Sequence, residues 1–508
     1  RQVDARNRQL DGTEGWYIPS QQGCGLVLTI DAEIQEMVEK AMRECIEVNQ
    51  AQSVICLVSD VKTGAILAMC MNPCYDPNDP PRNDAETLTE LMRLTAISDV
   101  YEPGSTFKIL TAASALDSGV TTPQDSFYCS AKITVDGDTI RCWGRPHGAE
   151  TMADGLKNSC NPVFVELALR MGTDTFYRYL TAFGLGKKTG IDLPGESPGI
   201  LITSRNVKRV DLARIGFGQS VALTPIQMMM AANSVINGGK LMKPYIVSEI
   251  QTPDGETLER FHPTVMAAPI RPETSDTMRL LLERVVSEGG GKNAAIAGYR
   301  IGGKTGTAQV YKNGRVVRDT HIGSFYGFAP VNDPQVSILV IVKEADVPID
   351  YGGTTAAPFA RQIMQEMLPY LGIEPENDEK DEEIEVPALK GLTIGDAKRK
   401  LSQVGLESVT DGANTVVLDQ LPPAGAKLVK GGHVMLYTAG SEELTPEELV
   451  CVPDLTGLGD VDCARLVRQR GLMMSMTGQG LCTEQSPAAG EYVQPGTTIF
   501  LLMAGDDE

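Results

Sequence analysis

An acidic break followed by a self-repeat divides this chain before any single element is read. Eight of the residues from 374 to 385 are Asp or Glu. A stretch so charged buries too little apolar surface to form a core. Beyond it Val386-Pro387 recurs as Val452-Pro453, Gly391-Leu392 as Gly457-Leu458, and Gly405-Leu406 as Gly471-Leu472, all offset by 66 residues. Gln420-Leu-Pro-Pro-Ala-Gly425 likewise matches Gln485-Ser-Pro-Ala-Ala-Gly490. Such self-similarity marks two copies of one small unit. Each reads as a helix (394–404 and 461–470) followed by short strands. The expected division is a polar stub over 1–23, one large domain over 24–370, a linker over 371–385, a module over 386–440, a second linker over 441–451 and a second module over 452–505.

The large domain mixes two periodicities. Apolar residues at Ile34, Met37, Val38, Ala41, Met42 and Cys45 follow helical spacing behind an Asp31 cap. Residues 54–58 and 65–71 are β-rich runs around a turn at 60–64. Residues 105–116 are apolar nearly all round, which predicts a buried central helix ended by Gly119. Thr224-Pro225 supplies a cap and a first-turn proline for a Met-rich helix. From Tyr299 onward strands are expected at 299–303, 307–311, 322–329 and 336–342, closed by a helix near 357–368. The fold class is therefore α+β, an antiparallel sheet flanked by helices, followed by two small α+β modules.

The net charge of −21 argues against a nucleic-acid surface. The longest clear apolar run, 336–342, falls far short of the roughly 18 residues that span a membrane. Eleven cysteines with no C-x-x-C pair, and four scattered histidines, argue against a structural zinc site. Cys129 and Cys142 flank an alternating segment with Asp136-Gly137 at its turn, so strand pairing would bring them close. Two readings fit: a disulfide if the chain lies outside the cytoplasm, or free buried thiols.

Chemistry concentrates at Glu102-Pro-Gly-Ser105-Thr-Phe-Lys108. A serine hydroxyl and an amine three residues apart share a face of the helix, and such an amine, once neutral, activates the hydroxyl. The same spacing at Ser59 and Lys62 lies at a strand end, where an odd offset points the two side chains apart. Lys-Thr-Gly occurs at Lys62, Lys188 and Lys304, but only Lys304 enters a strand pair. Ser-x-Asn occurs at Ser159 and Ser204, and only Ser159-Cys160-Asn161 sits at a helix break. Residues 298–305 also fit the pattern of a phosphate-binding loop. The strand-like Gly-Thr-Ala-Gln-Val that follows, where a helix is needed, argues against it.

In this order, Ser105 and Lys108, then Ser159 and Asn161, then Lys304-Thr305-Gly306-Thr307, the chain resembles a class B penicillin-binding protein, a D,D-transpeptidase with two C-terminal PASTA modules. His147-Gly148, Gly216-Phe-Gly-Gln219, Thr224-Pro225 and Tyr351-Gly-Gly353 extend the resemblance. It implies a serine acyl-enzyme made from D-Ala-D-Ala stem peptides and blocked by β-lactams. Ser105 would be the nucleophile, Lys108 its base, Ser159 and Asn161 relay and substrate holder, and Lys304 a nearby cation. Thr305, Gly306 and Thr307 would hold the terminal carboxylate. No metal or cofactor is implied. A glycosyltransferase of the wall machinery is the implied partner. The implied location is the outer face of the bacterial cytoplasmic membrane, through an N-terminal anchor and pedestal that this chain lacks. A wall-binding or β-lactam-sensing protein with little turnover is the alternative. Cys160 reads as packing, Gln219 and Gly353 as structural, and His321 as a surface residue.

Overall fold

The computed structural model describes residues 22–144, 146–312, 315–375, 383–410, 416–429, 431–438, 450–470, 472–478, 480–487, 489, 492–493 and 497–504. The expected stub over 1–23 therefore lies almost wholly outside the described residues. So do 376–382 of the first linker and most of the second. The chain divides into two compact units, one built from 1–411 with 419–437, the other from 412–418 with 438–508.

The first unit is organised by strands β1 (Ser53–Asp60), β2 (Ile66–Asn72), β3 (Gly302–Lys312), β4 (Arg315–Ala329) and β5 (Val336–Lys343). They form one antiparallel sheet in the order β3-β4-β5-β1-β2. One expectation changes here. The runs at 299–303 and 307–311 are not separate strands, because β3 passes straight through Lys304. The N-terminal hairpin completes the same sheet.

The alternation of a strand sends successive side chains to opposite faces. On β5 this puts Val336, Ile338, Val340 and Val342 into a core with helix α1 (Ala32–Val48) and helix α6 (Ala357–Tyr370). Leu339 and Ile341 face the opposite core, with helices α2 (Lys108–Asp117), α3 (Asn161–Ala182), α4 (Pro225–Ile236) and α5 (Pro272–Ser287). Helices therefore cover both faces, and β5 reads as one continuous apolar run. Helix α2 is the hub of the second core: residues 108–115 are all buried, and α3, α4 and α5 pack around it. Thr224 caps α4, with Gln227 returning the bond in a capping box.

The hairpin turns at Asp136-Gly137 as the sequence suggests, pairing Lys132–Val135 with Asp138–Arg141. Cys129 ends a different strand, Ser126–Cys129, which pairs with Gly148–Thr151. The acidic run is not linker to its end, since Glu383–Glu385 pairs as a strand with Lys427–Val429.

The repeat has a physical basis in a buried amide. Gln420 Oε1 accepts the N–H of Leu389 at 2.7 Å, and its Nε2 donates to Pro387 O at 3.0 Å. In the second module Gln485 repeats the clamp on Leu455 N (2.7 Å) and Pro453 O (3.0 Å). Replacing Gln420 with Ala leaves a buried N–H and C=O unpaired. We expect a loss of about 2 kcal/mol in the first module's urea transition. An unchanged midpoint would mean that the clamp carries no stability.

Candidate active site

Ser105 sits in a 3-10 turn, Gly104–Phe107, and Lys108 is the first residue of α2. This corrects the expectation that both lie on one α-helix. Side chains at i and i+3 eclipse in a 3-10 turn, but the hydrogen bonds described for Lys108 Nζ go to Ser159 and Asn161 and not to Ser105. The turn is clamped by neighbouring backbone. Gly104 N donates to Gly218 O at 3.1 Å, and a Cβ on Gly218, whose φ is +84°, would lie 2.0 Å from Gly104 O. Gly306 allows the matching approach from β3. A Cβ there would meet Ser324 Oγ at 2.4 Å and Thr106 Cγ2 at 2.9 Å. Gly306 thus serves the packing of strand against turn, and it lines the adjoining cavity together with Thr305 and Thr307.

Ser159 lies between helix Met152–Lys157 and α3, with φ at +57°, a strained value for a residue with a Cβ. That bend turns its hydroxyl toward two buried amines. Lys108 Nζ donates to Ser159 O (2.5 Å), Ser159 Oγ (3.2 Å) and Asn161 Oδ1 (2.7 Å). Lys304 Nζ donates to the same Ser159 Oγ at 2.9 Å and to Thr305 O at 3.0 Å. Asn161 is fixed from its other end, Nδ2 donating to Arg141 O at 3.0 Å.

Both lysines are fully buried. Burial draws Lys108 down to about 7 against the pull of Cys142, Cys160 and Glu150. Lys304 is driven well below the ordinary lysine range by burial and then by repulsion from Lys108. The expectation of Lys304 as a nearby cation is thereby revised: burial is what lowers Lys108, and Lys304 is itself held below the ordinary lysine range.

A cavity of about 740 Å³ opens over this group, lined by Ser105, Ser159, Asn161 and Thr305–Thr307. Residues that sequence reasoning set aside line it too, among them Gln219, Gly353 and His321. His321 is no plain surface residue: its Nδ1 lies 2.8 Å from Asp350 Oδ1, and its ring adjoins Tyr351. Trp143 also lines the cavity, and no sequence signal marked it. The decoys separate cleanly. Ser59 is buried in β1 while Lys62 pairs with Asp333, and the residues after Gly303 continue a strand, not a helix.

The cysteine reading needs a larger correction. Cys129 and Cys142 are brought together as free thiols, but with Cys160 and His147 as well. The ligand atoms of the four residues all lie within 4.8 Å of one another. Spacing along the chain concealed this cluster, because the four residues come from separate segments.

A family model described as the penicillin binding protein transpeptidase domain matches residues 54–365, and the PASTA domain model matches 384–440 and 450–505. The chain belongs to the penicillin-binding protein transpeptidase family. It is 37% identical over 452 residues to "Stage V sporulation protein D" of Bacillus subtilis (strain 168), covering 87% of this chain and 69% of that protein. It is 30% identical to "Peptidoglycan D,D-transpeptidase FtsI" of Escherichia coli (strain K12), covering 70% of this chain and 58% of that one. Among solved structures, penicillin binding protein 3 of Mycobacterium tuberculosis complexed with ampicillin aligns with a TM-score of 0.66 at 27% identity, covering 72% of this chain and 82% of that one.

The buried amine has a consequence for stability. The unfolded chain holds a proton on Lys108 up to about 10.5, and the folded chain releases it near 7. Between these values the unfolded state binds more protons, so this group's contribution to stability rises with pH. Relative to Lys108→Met, the wild type should gain about 3–5 kcal/mol between pH 7 and pH 10.5, read from denaturation at each pH. Parallel curves would mean that Lys108 stays charged when folded.

Proposed function

We propose that this chain is a serine D,D-transpeptidase that crosslinks peptidoglycan stem peptides and is acylated by β-lactams. The observation that carries the reading is the convergence of Lys108 and Lys304 on one hydroxyl, Ser159, beneath a cavity that Ser105 lines. Ser105 Oγ attacks the carbonyl of the penultimate D-Ala and passes its proton to neutral Lys108. The carbonyl C–N bond then breaks, and the departing D-Ala amine takes a proton through Ser159. An amine from a second stem attacks the ester, forms the new amide and returns Ser105 to its free state. With a β-lactam the ring C–N bond opens and no fragment leaves, so the ester persists.

The hydrogen-bond inventory says why Ser159 suits the relay. Ser159 O and Asn161 Oδ1 can only accept, so they need N–H groups from Lys108 in every state. A hydroxyl both donates and accepts. When Lys108 is neutral, Ser159 can turn its own O–H toward the amine while still accepting from Lys304. An incoming terminal carboxylate, received by Thr305 and Thr307, favours the charged form of Lys304. Backbone N–H groups of Ser105 and Thr307 suit the oxyanion, worth roughly 3–4 kcal/mol per donor in the transition state.

The transpeptidase domain is assigned to 24–370 and the wall-facing modules to 386–440 and 452–505. The setting that follows is the outer face of a bacterial cytoplasmic membrane, in wall assembly for division or sporulation, beside a glycosyltransferase.

Intact mass after exposure to penicillin should show one adduct, on Ser105, absent from Ser105→Ala. Folded protein without an adduct would refute both the transpeptidase and a β-lactam sensor. Turnover of a D-Ala-D-Ala thioester with an acceptor amine separates those two, and an acylated chain without turnover would favour the sensor. Because Lys108 acts as the neutral amine, the second-order acylation rate should fall about tenfold per pH unit below about 7 and level off above it. Burial sets the Lys108 midpoint and Lys304 carries little charge near pH 7, so Lys304→Gln should leave that midpoint essentially in place. A clear move to higher pH would mean that Lys304 is a cation in the free protein.

A further inference from the structure

We propose that Cys129, Cys142, His147 and Cys160 form a tetrahedral binding site for a divalent metal of the zinc class, one that ties down the loop carrying Ser159 and Asn161. The four ligand atoms lie within 4.8 Å of one another, and Cys142 Sγ stands 3.9 Å from His147 Nδ1. A tetrahedral zinc with bonds of about 2.3 Å to sulfur and 2.0–2.1 Å to nitrogen has ligand separations of roughly 3.5–3.8 Å. Closing on an ion therefore requires shifts on the order of a few tenths of an ångström to an ångström.

The donor set is one that zinc selects. Three thiolates and an imidazole are soft-to-borderline ligands, and a closed Cys3His shell leaves no open position for substrate or water. Cys129 and Cys160 are fully buried, and Cys142 and His147 are half-buried, with His147 lining the cavity. A second observation points to the same place. Glu150 is 7% exposed, and its Oε1 has no hydrogen-bond partner. That oxygen lies 3.7 Å from His147 Nδ1. Its other oxygen accepts from Asn158 Nδ2 at 3.1 Å, so the carboxylate is held in place. Cys142 Sγ faces this same Nδ1, so the unpaired carboxylate oxygen is aimed into the cluster itself, where a cation would relieve its burial.

The placement gives the site a task. Cys129 ends the strand Ser126–Cys129, Cys142 follows the strand Asp138–Arg141, and His147 precedes the strand Gly148–Thr151. Cys160 is the N-cap residue of α3 and makes no side-chain capping bond there. One ion would thus join three β segments to the residue between Ser159 and Asn161. Those are the two residues that hold the Lys108 amine. Binding at neutral pH releases the thiol protons to solvent, and the metal is neither oxidised nor reduced.

The test uses the full chain, purified under reducing conditions and reconstituted with zinc or cobalt. We expect about one zinc per chain by elemental analysis. We also expect a cobalt spectrum with thiolate charge-transfer and tetrahedral d–d bands. Cys142→Ser and His147→Ala should each lower the stoichiometry at least tenfold, while Ser105→Ala keeps it. That control separates this inference from the reading of the site as a transpeptidase. Removing the metal with a chelator should slow Ser105 acylation at least tenfold, with recovery on adding zinc but not magnesium. A reduced, folded wild type with less than a tenth of a zinc per chain would overturn the proposal. So would metal that survives both substitutions, or a Cys142–Cys160 disulfide that persists in place of metal under the same reducing conditions. Acylation unaffected by metal removal would overturn the coupling to Ser159.

Discussion

Two buried amines share one serine hydroxyl, and much of the first unit exists to hold them there. A charged amine in an apolar core is costly, and two within reach of one oxygen repel as well. The fold answers by leaving at least one amine without its proton near neutral pH. That is the state in which a lysine can act as a base. Helix α2, buried over 108–115, delivers one amine, β3 delivers the other, and the strained backbone of Ser159 brings the hydroxyl between them. Gly218 and Gly306 let the Ser105 turn come close enough to complete the group. The protein gives up stability at this point, and chemistry is the return.

Much of this was legible from residues. The largely apolar stretch after Ser105 gave the buried helix, and Thr224-Pro225 gave the start of α4. The 66-residue offset gave the second module and its helix. Each of these is a local signal, in which the residue and the structure it causes lie within one or two turns. The three lysine and serine motifs were legible as a set because each needs its own helix, loop or strand.

What was not legible is long-range or depends on burial. No periodicity says that β1 and β2 join β3–β5, since that pairing is decided across more than two hundred residues. The 3-10 turn at Ser105 is enforced by Gly218 from a distant loop. His321 meets Asp350 across 29 positions, and the four cysteine and histidine ligands come from a strand end, the connection between two strands and a helix start. Spacing rules for metal sites look for pairs within one turn, and this cluster has none. The size of the Lys108 shift also depends on its total burial, which sequence alone does not report.

The central claim is that Lys108 is a neutral amine in the folded protein at mildly alkaline pH. It can be measured without any reaction, by following the Nζ resonances of Lys108 and Lys304 through a pH titration of 15N-lysine protein. Lys108→Met and Lys304→Met supply the assignments. The account predicts that Lys108 Nζ titrates with a midpoint near 7 and that Lys304 also lies well below the ordinary lysine range. Both amines remaining protonated to about pH 10, as exposed lysines do, would contradict it.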